Sequence, residues 1–202
     1  MSLLDRLHGG YVHKRRIAVL STELAPLFPR DARVLDVGCG DGELAAELCA
    51  RRPDVEVEGI DVLARQGCAI PVREFDGAHI PYGDACIDVV LLVDVLHHTD
   101  DPTALLRESA RVSRSLIVIK DHLREGVAAG LTLRVMDWVG NARHGVRLPY
   151  NYWTRAQWDR GFHDLGLEVR LWRSSLRLYP KPATWLFDRT LHFIAAMAVA
   201  EC

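Results

Sequence analysis

Apolar and polar positions fall into alternating blocks along the first 120 residues. "RVLDV" (33–37) reads as a buried strand, and Gly38 to Gly42 turn the chain. "ELAAELCARR" (43–52) reads as a helix, stopped by Pro53. "VEVEGID" (55–61) and the shorter "AIPVREF" (69–75), weakened by Pro71, read as strands two and three. "IDVVLLVDVL" (87–96) is a continuous apolar run, as expected of a central strand covered on both faces. Asp101 and Pro102 suit the N-cap and first position of a helix reaching Val112, and "SLIVIK" (115–120) gives a fifth strand.

Strands that alternate with helices predict a parallel sheet with right-handed crossovers. The rhythm breaks over 121–153, which reads as an irregular insert. "TRAQ" predicts a capping box that opens a helix at Thr154 and ends near Gly166. "LEVRLW" and "SLRLY" then read as an antiparallel hairpin. "WLFDRTLHFIAAMAVA" (185–200) has apolar residues at helical spacings and reads as a C-terminal helix. The expected fold is therefore α/β: a three-layer sandwich around a mostly parallel seven-stranded sheet, with helices on both faces and an antiparallel edge hairpin. A single domain spans 1–202, with a cap helix over 1–30, the insert over 121–153 and the terminal helix over 181–202.

Composition narrows the classes. The 202 residues are 49% hydrophobic and 26% charged, with a net charge of −2, which carries no nucleic-acid signature. The charge is uneven: residues 103–202 hold 15 Lys and Arg against 9 Asp and Glu, whereas the first 102 hold 10 against 18. A basic second half points to an anionic partner for it. Five cysteines without a CxxC pair read as reduced thiols, and neither a signal peptide nor a membrane-length apolar run is present, so the chain reads as cytoplasmic. The short apolar tail is expected to pack on its own domain or pair with a second subunit, a homodimer, rather than to enter a membrane.

The stretch "VLDVGCGDG" carries the chemistry. Three glycines at alternate positions after a strand mark a sharp turn or a close backbone approach. In a parallel sheet the ligand crevice lies beyond the C-terminal strand ends, where this turn sits. The spacing is GxGxG, and Glu43 replaces the third glycine of the dinucleotide pattern; a carboxylate at the helix entry disfavours a pyrophosphate. Asp61 stands 19 residues after Gly42, near the offset at which an acid grips ribose hydroxyls. Asp36, Asp61, Asp76 and Asp94 all fall at or near strand ends on one edge of the sheet.

These residues resemble the class I S-adenosylmethionine-dependent methyltransferases. "DVGCGDG" matches the family's [D/E]xGxGxG motif. "GID" (59–61), "EFDGAHIPYGDACIDVVLLVDVLHHTDDP" (74–102) and "LLRESARVSRSLIVIKD" resemble the segments that follow it. The resemblance implies S-adenosyl-L-methionine as cofactor. It places Asp36, Gly38 and Gly40 at the methionine end, Asp61 at the ribose, Asp76 and Gly77 at the adenine, and Asp94 or its backbone over the methionine.

For methyl acceptors that must lose a proton, histidine suits the role of base. His122 is the candidate carried forward, with His97 and His98 read as structural or cofactor-adjacent. No metal is expected, because adjacent histidines on extended backbone point apart. Arg143, His144, Arg147, Tyr150 and Tyr152 in "NARHGVRLPYNYW" suit an anionic, partly apolar substrate. The leading reading is an enzyme that methylates a small, anionic or lipid-like molecule, without nucleic acid as partner. The alternatives are an RNA or protein methyltransferase and a non-catalytic cofactor-binding protein.

Overall fold

The computed structural model describes residues 3–63, 65–141, 149–181, 187 and 190–199. Its sheet is built from β1 (Arg33–Val37), β2 (Glu56–Asp61), β3 (Val72–Glu74), β4 (Ile87–Val93), β5 (Ser113–His122), β6 (Glu168–Arg173) and β7 (His192–Ala198). The order is β3-β2-β1-β4-β5-β7-β6. The first five strands pair in parallel, and β7 runs antiparallel between β5 and β6. The helices are α1 (Leu3–Leu24), α2 (Glu43–Arg51), α3 (Pro102–Val112), α4 (Ala129–Asn141) and α5 (Arg155–Asp164).

Alternating side chains of each central strand enter two separate cores, which is why the strands read as unbroken apolar runs. Val89 and Leu91 join Leu20, Leu24 and Leu48 of α1 and α2 on one face. Val90 and Leu92 join Leu105 and Leu106 of α3 and Trp158 and Phe162 of α5 on the other. The caps form as the sequence requires: the Asp101 carboxylate accepts from Thr103 and Ala104 N–H, and Thr154 and Gln157 close a full capping box.

Two expectations are corrected. The partner of β6 is not "SLRLY" but 192–198, so the segment read as helix over 185–200 holds strand β7. A strand with neighbours on both sides and helices on both faces is apolar all round, and periodicity cannot separate it from a buried helix. Leu176 and Leu178 still alternate inward, but only to pack into the core beside α1. The insert over 121–153 is not irregular throughout: Asp121 and His122 close β5, and α4 follows. Leu133 of α4 is buried while Leu131, Val135 and Trp138 face solvent, so apolar residues on both sides blur the helical period. Arg143, His144 and Arg147 lie outside the described residues.

Trp158 stitches this half together. It meets Trp153, Phe162 and Phe193 edge-on or tilted, and its indole N–H donates to the His122 carbonyl at 3.3 Å. Trp158→Ala is expected to lower unfolding free energy by ~3–5 kcal/mol, the cost of a large core truncation. Urea unfolding followed by far-UV circular dichroism checks this; a loss under ~1 kcal/mol would contradict the packing described.

Candidate functional site

The glycine turn is tied to the end of β2. Gly38 and Cys39 N–H donate to the Ile60 carbonyl at 2.7 and 3.2 Å, and Gly40 N–H donates to Asp61 Oδ2 at 2.9 Å. Gly38 has φ +74°, and a Cβ there would lie 2.5 Å from Val95 Cγ2, so only glycine lets the segment after β4 close on the turn. Gly40 has φ +62° and nothing within 4 Å of a would-be Cβ, which leaves open space above the turn. Asp36, on β1 beneath it, is 3% exposed and takes no hydrogen bond from a described residue. Burial, and then the neighbouring Asp61, push its carboxyl up to about 7. Phe75 N–H bonds the Asp61 carbonyl, so the Asp76–Gly77 loop lies beside this turn. The Asp76 carboxylate accepts from Ala78 and His79 N–H and from the His79 ring.

A buried ionic network fills the neighbouring strand ends. Asp94 follows β4 with φ +55°, and its carboxylate meets Lys120 Nζ of β5 at 2.5 Å and the Arg16 guanidinium of α1. Burial alone would raise the Asp94 carboxyl, but the two cations hold it well below the usual carboxylate range. Lys120 also donates to His192 Nδ1 at 3.3 Å, and burial lowers both groups. Asp121 Oδ1 lies 2.6 Å from His97 Nδ1, and Asp121 also accepts from Leu96 and His122 N–H. Burial opposes a charge on His97, yet Asp121 and Asp137 beside it push it up to about 10. Burial and that imidazolium push His98 down to about 4 and lower His122 as well, so both are neutral near pH 7.

Residues 150–152 close the far wall. Asn151 N–H donates to the His97 carbonyl and its side-chain amide to the Thr99 carbonyl, and the Tyr152 hydroxyl donates to Asp137. Behind it lies a cavity of about 300 Å³ lined by Arg124, Gly130, Leu131, Arg134, Tyr150 and Tyr152. The Arg134 guanidinium lies over the Tyr150 ring at 5.5 Å. Neither Arg124 nor Arg134 pairs with a carboxylate among the described residues.

The structure thus brings Asp36, Gly38, Gly40, Asp61, Asp76 and Gly77 to one edge, with Asp94 and His122 in the adjoining network and Tyr150 and Tyr152 at the cavity. The reason given against paired histidines is corrected: Leu96–His98 is a 3-10 turn, not extended backbone, and the His97 and His98 rings lie 4.0 Å apart. Sequence reasoning missed Lys120, His192, Asp137, Arg124 and Arg134. Lys120 left a readable signal, a lone cation closing an apolar strand; Asp137 left another, a lone acid in an apolar helix.

Comparison with known proteins gives the family. The methyltransferase-domain family matches residues 11–171. The 27-O-demethylrifamycin SV methyltransferase of Amycolatopsis mediterranei is 32% identical over 150 residues, 63% of this chain and 55% of its own length, so the match spans little more than half of that relative. The ubiquinone biosynthesis O-methyltransferase of Parvibaculum lavamentivorans is 26% identical over 208 residues, 95% of this chain and 80% of its own. An S-adenosylmethionine-dependent methyltransferase from Thermotoga maritima superposes with a TM-score of 0.70 at 14% identity, over 98% of this chain and 96% of its own. The residues present fit S-adenosylmethionine: open space over Gly40, a buried carboxylate at Asp36, and a second acid at the end of β2. The chain belongs to the methyltransferase-domain family, within the class I enzymes that use S-adenosylmethionine as cofactor.

Proposed function

We propose that this enzyme methylates a small molecule that carries an anionic group, seated in the cavity beside α4. The observation that carries the reading is the pair of arginines without carboxylate partners among the described residues, Arg124 and Arg134, in a pocket whose Tyr152 wall is hydrogen-bonded into the network at the strand ends. The relatives named for a rifamycin and for ubiquinone biosynthesis support a small-molecule acceptor.

In this reading Asp36 receives the ammonium of the methionine end, Asp61 the ribose hydroxyls, and the Asp76–Gly77 loop the adenine. The Asp94 carboxylate is held by Lys120 and Arg16, so Asp94 fixes α1 over the site, and the backbone beside it faces the cofactor. S-adenosylmethionine supplies a methyl group already activated on a sulfonium, which leaves the protein to align the acceptor and exclude water. His122 Nδ1 faces His97, Asp94 and Asp121 at 3.3–3.5 Å, so His122 acts as a positioning residue within the network. Tyr152, not His122, stands at the cavity wall.

The cofactor assignment has a direct test. Asp61→Ala is expected to weaken S-adenosylhomocysteine binding by ~1–3 kcal/mol through lost hydrogen bonds, and Gly40→Val to abolish it by filling the open space. Calorimetry in which both variants bind like wild type would remove these residues from the site. A pH titration tests Asp36. Its carboxyl is protonated below about 7 in the free protein, whereas an ammonium partner favours the carboxylate. Affinity should therefore rise with pH through about 7 and level off above it, and Asp36→Asn should flatten that rise.

The acceptor class is tested by incubation with labelled cofactor and a cell extract. The label should enter a small anionic molecule; label confined to protein or RNA would overturn the reading. With that molecule in hand, Arg134→Ala should raise KM ~10- to 100-fold, as expected for a lost charge-assisted contact of ~1.5–3 kcal/mol. Cofactor affinity should stay unchanged, because the ribose and adenine contacts lie on other loops.

A further inference from the structure

His97 and His98 present an arrangement that hydrogen bonding among the described residues does not complete. His97 is 1% exposed, and its Nδ1 is committed to Asp121. Its Nε2 is buried without a hydrogen-bond partner of acceptable geometry among the described residues; Asp137 Oδ2 lies 3.4 Å away. His98 Nδ1 is likewise buried and without a partner. The ligand atoms of His97, His98 and Asp137 all lie within 4.8 Å of one another. The 3-10 turn over Leu96–His98 makes this convergence feasible for neighbouring residues, since it brings the ring centroids to 4.0 Å, tilted by 44°, rather than directing them to opposite sides.

We propose that His97 Nε2, His98 Nδ1 and an Asp137 carboxylate oxygen form a binding site for one divalent ion of the zinc type. Two ligand atoms ~2.1 Å from a common ion at the tetrahedral angle lie roughly 3.4 Å apart. That separation is what His97 Nε2 and Asp137 Oδ2 already show. Two imidazoles and one carboxylate suit zinc, cobalt and similar borderline ions, and three protein ligands leave a position for a further ligand. The surroundings match as well. A ligating histidine usually donates its other N–H to a carboxylate, which fixes the tautomer, and Asp121 accepts from His97 Nδ1. Tyr152 holds Asp137 through its hydroxyl. The rival occupant of the gap is a proton, with His97 as an imidazolium between two acids.

Ion binding here is independent of which acceptor the cavity holds, and its test reads binding alone. The full chain, stripped with a chelator, is titrated with Co²⁺ while visible absorption is followed, and Zn²⁺ then competes. One ion per chain with the spectrum of a four-coordinate nitrogen and oxygen site is expected. His98→Ala and Asp137→Asn should each weaken binding at least ~10-fold, and Asp121→Asn should weaken it ~10- to 100-fold through the lost orienting bond. His13→Ala, in the group of His13, Asp41 and Glu43 near the surface, should change nothing. The proposal fails if wild type takes up no ion saturably, if His98→Ala binds like wild type, or if only His13→Ala abolishes uptake. His98 is partly exposed, so its variant decides the matter even if Asp137→Asn does not fold; circular dichroism of each variant makes that distinction.

Discussion

The contact on which the site rests is the ion pair between Lys120 and Asp94, with Arg16 on the other carboxylate oxygen. A lysine 1% exposed at the end of a central strand is costly unless it is paired. Replacing such a pair with apolar residues is often neutral for stability, so its value lies in geometry. The pair joins the ends of β4 and β5, recruits α1 through Arg16, and leaves Lys120 bonded to the first residue of β7. Remove Lys120, and the Asp94 carboxylate would lose its 2.5 Å partner on β5, keeping there only His122 at 3.5 Å. Asp121 then repeats the device one residue along, tying the turn after β4 to β5 through Leu96 and His97.

Such a network can exist only where a parallel sheet delivers several strand ends to one place. Val93 sits opposite Lys120, and His122 opposite His192, so polar residues that end apolar strands become neighbours by register alone. The same edge carries the glycine turn of β1 and Asp61 of β2. The glycine turn and the ionic network are thus two stretches of one sheet edge, joined where Val95 packs against Gly38.

How much of this was legible follows from which forces are local. β1 and the caps at Asp101 and Thr154 were readable, because a short apolar run and an N-cap depend on neighbours in sequence. The glycine turn was readable for the same reason, and the offset brought Asp61 beside it. Strand β7 was read as helix because its environment, not its own period, makes it a strand: neighbours on both sides erase alternation. α4 was hidden by Leu131, Val135 and Trp138 on its outer face. Lys120, Asp137 and His192 escaped notice because each acquires meaning only from partners 15 to 72 residues away, and no local pattern encodes those pairings.

The placement of β7 has a consequence for how the molecule behaves at high concentration. Because the last strand inserts inside the sheet, the borders fall to β3 and β6. β3 spans three residues and is preceded by Pro71, which lacks a donor. β6 carries Glu168, Arg170 and Arg173 along its length; Arg170 pairs with Glu168, Arg173 with Glu23 of α1, and the Arg155 guanidinium sits 3.8 Å over the Trp172 ring. Short or charge-studded borders pair poorly with another chain's backbone. The apolar strand most prone to templating aggregation, "HFIAAMA", is kept where no second chain can reach its hydrogen bonds.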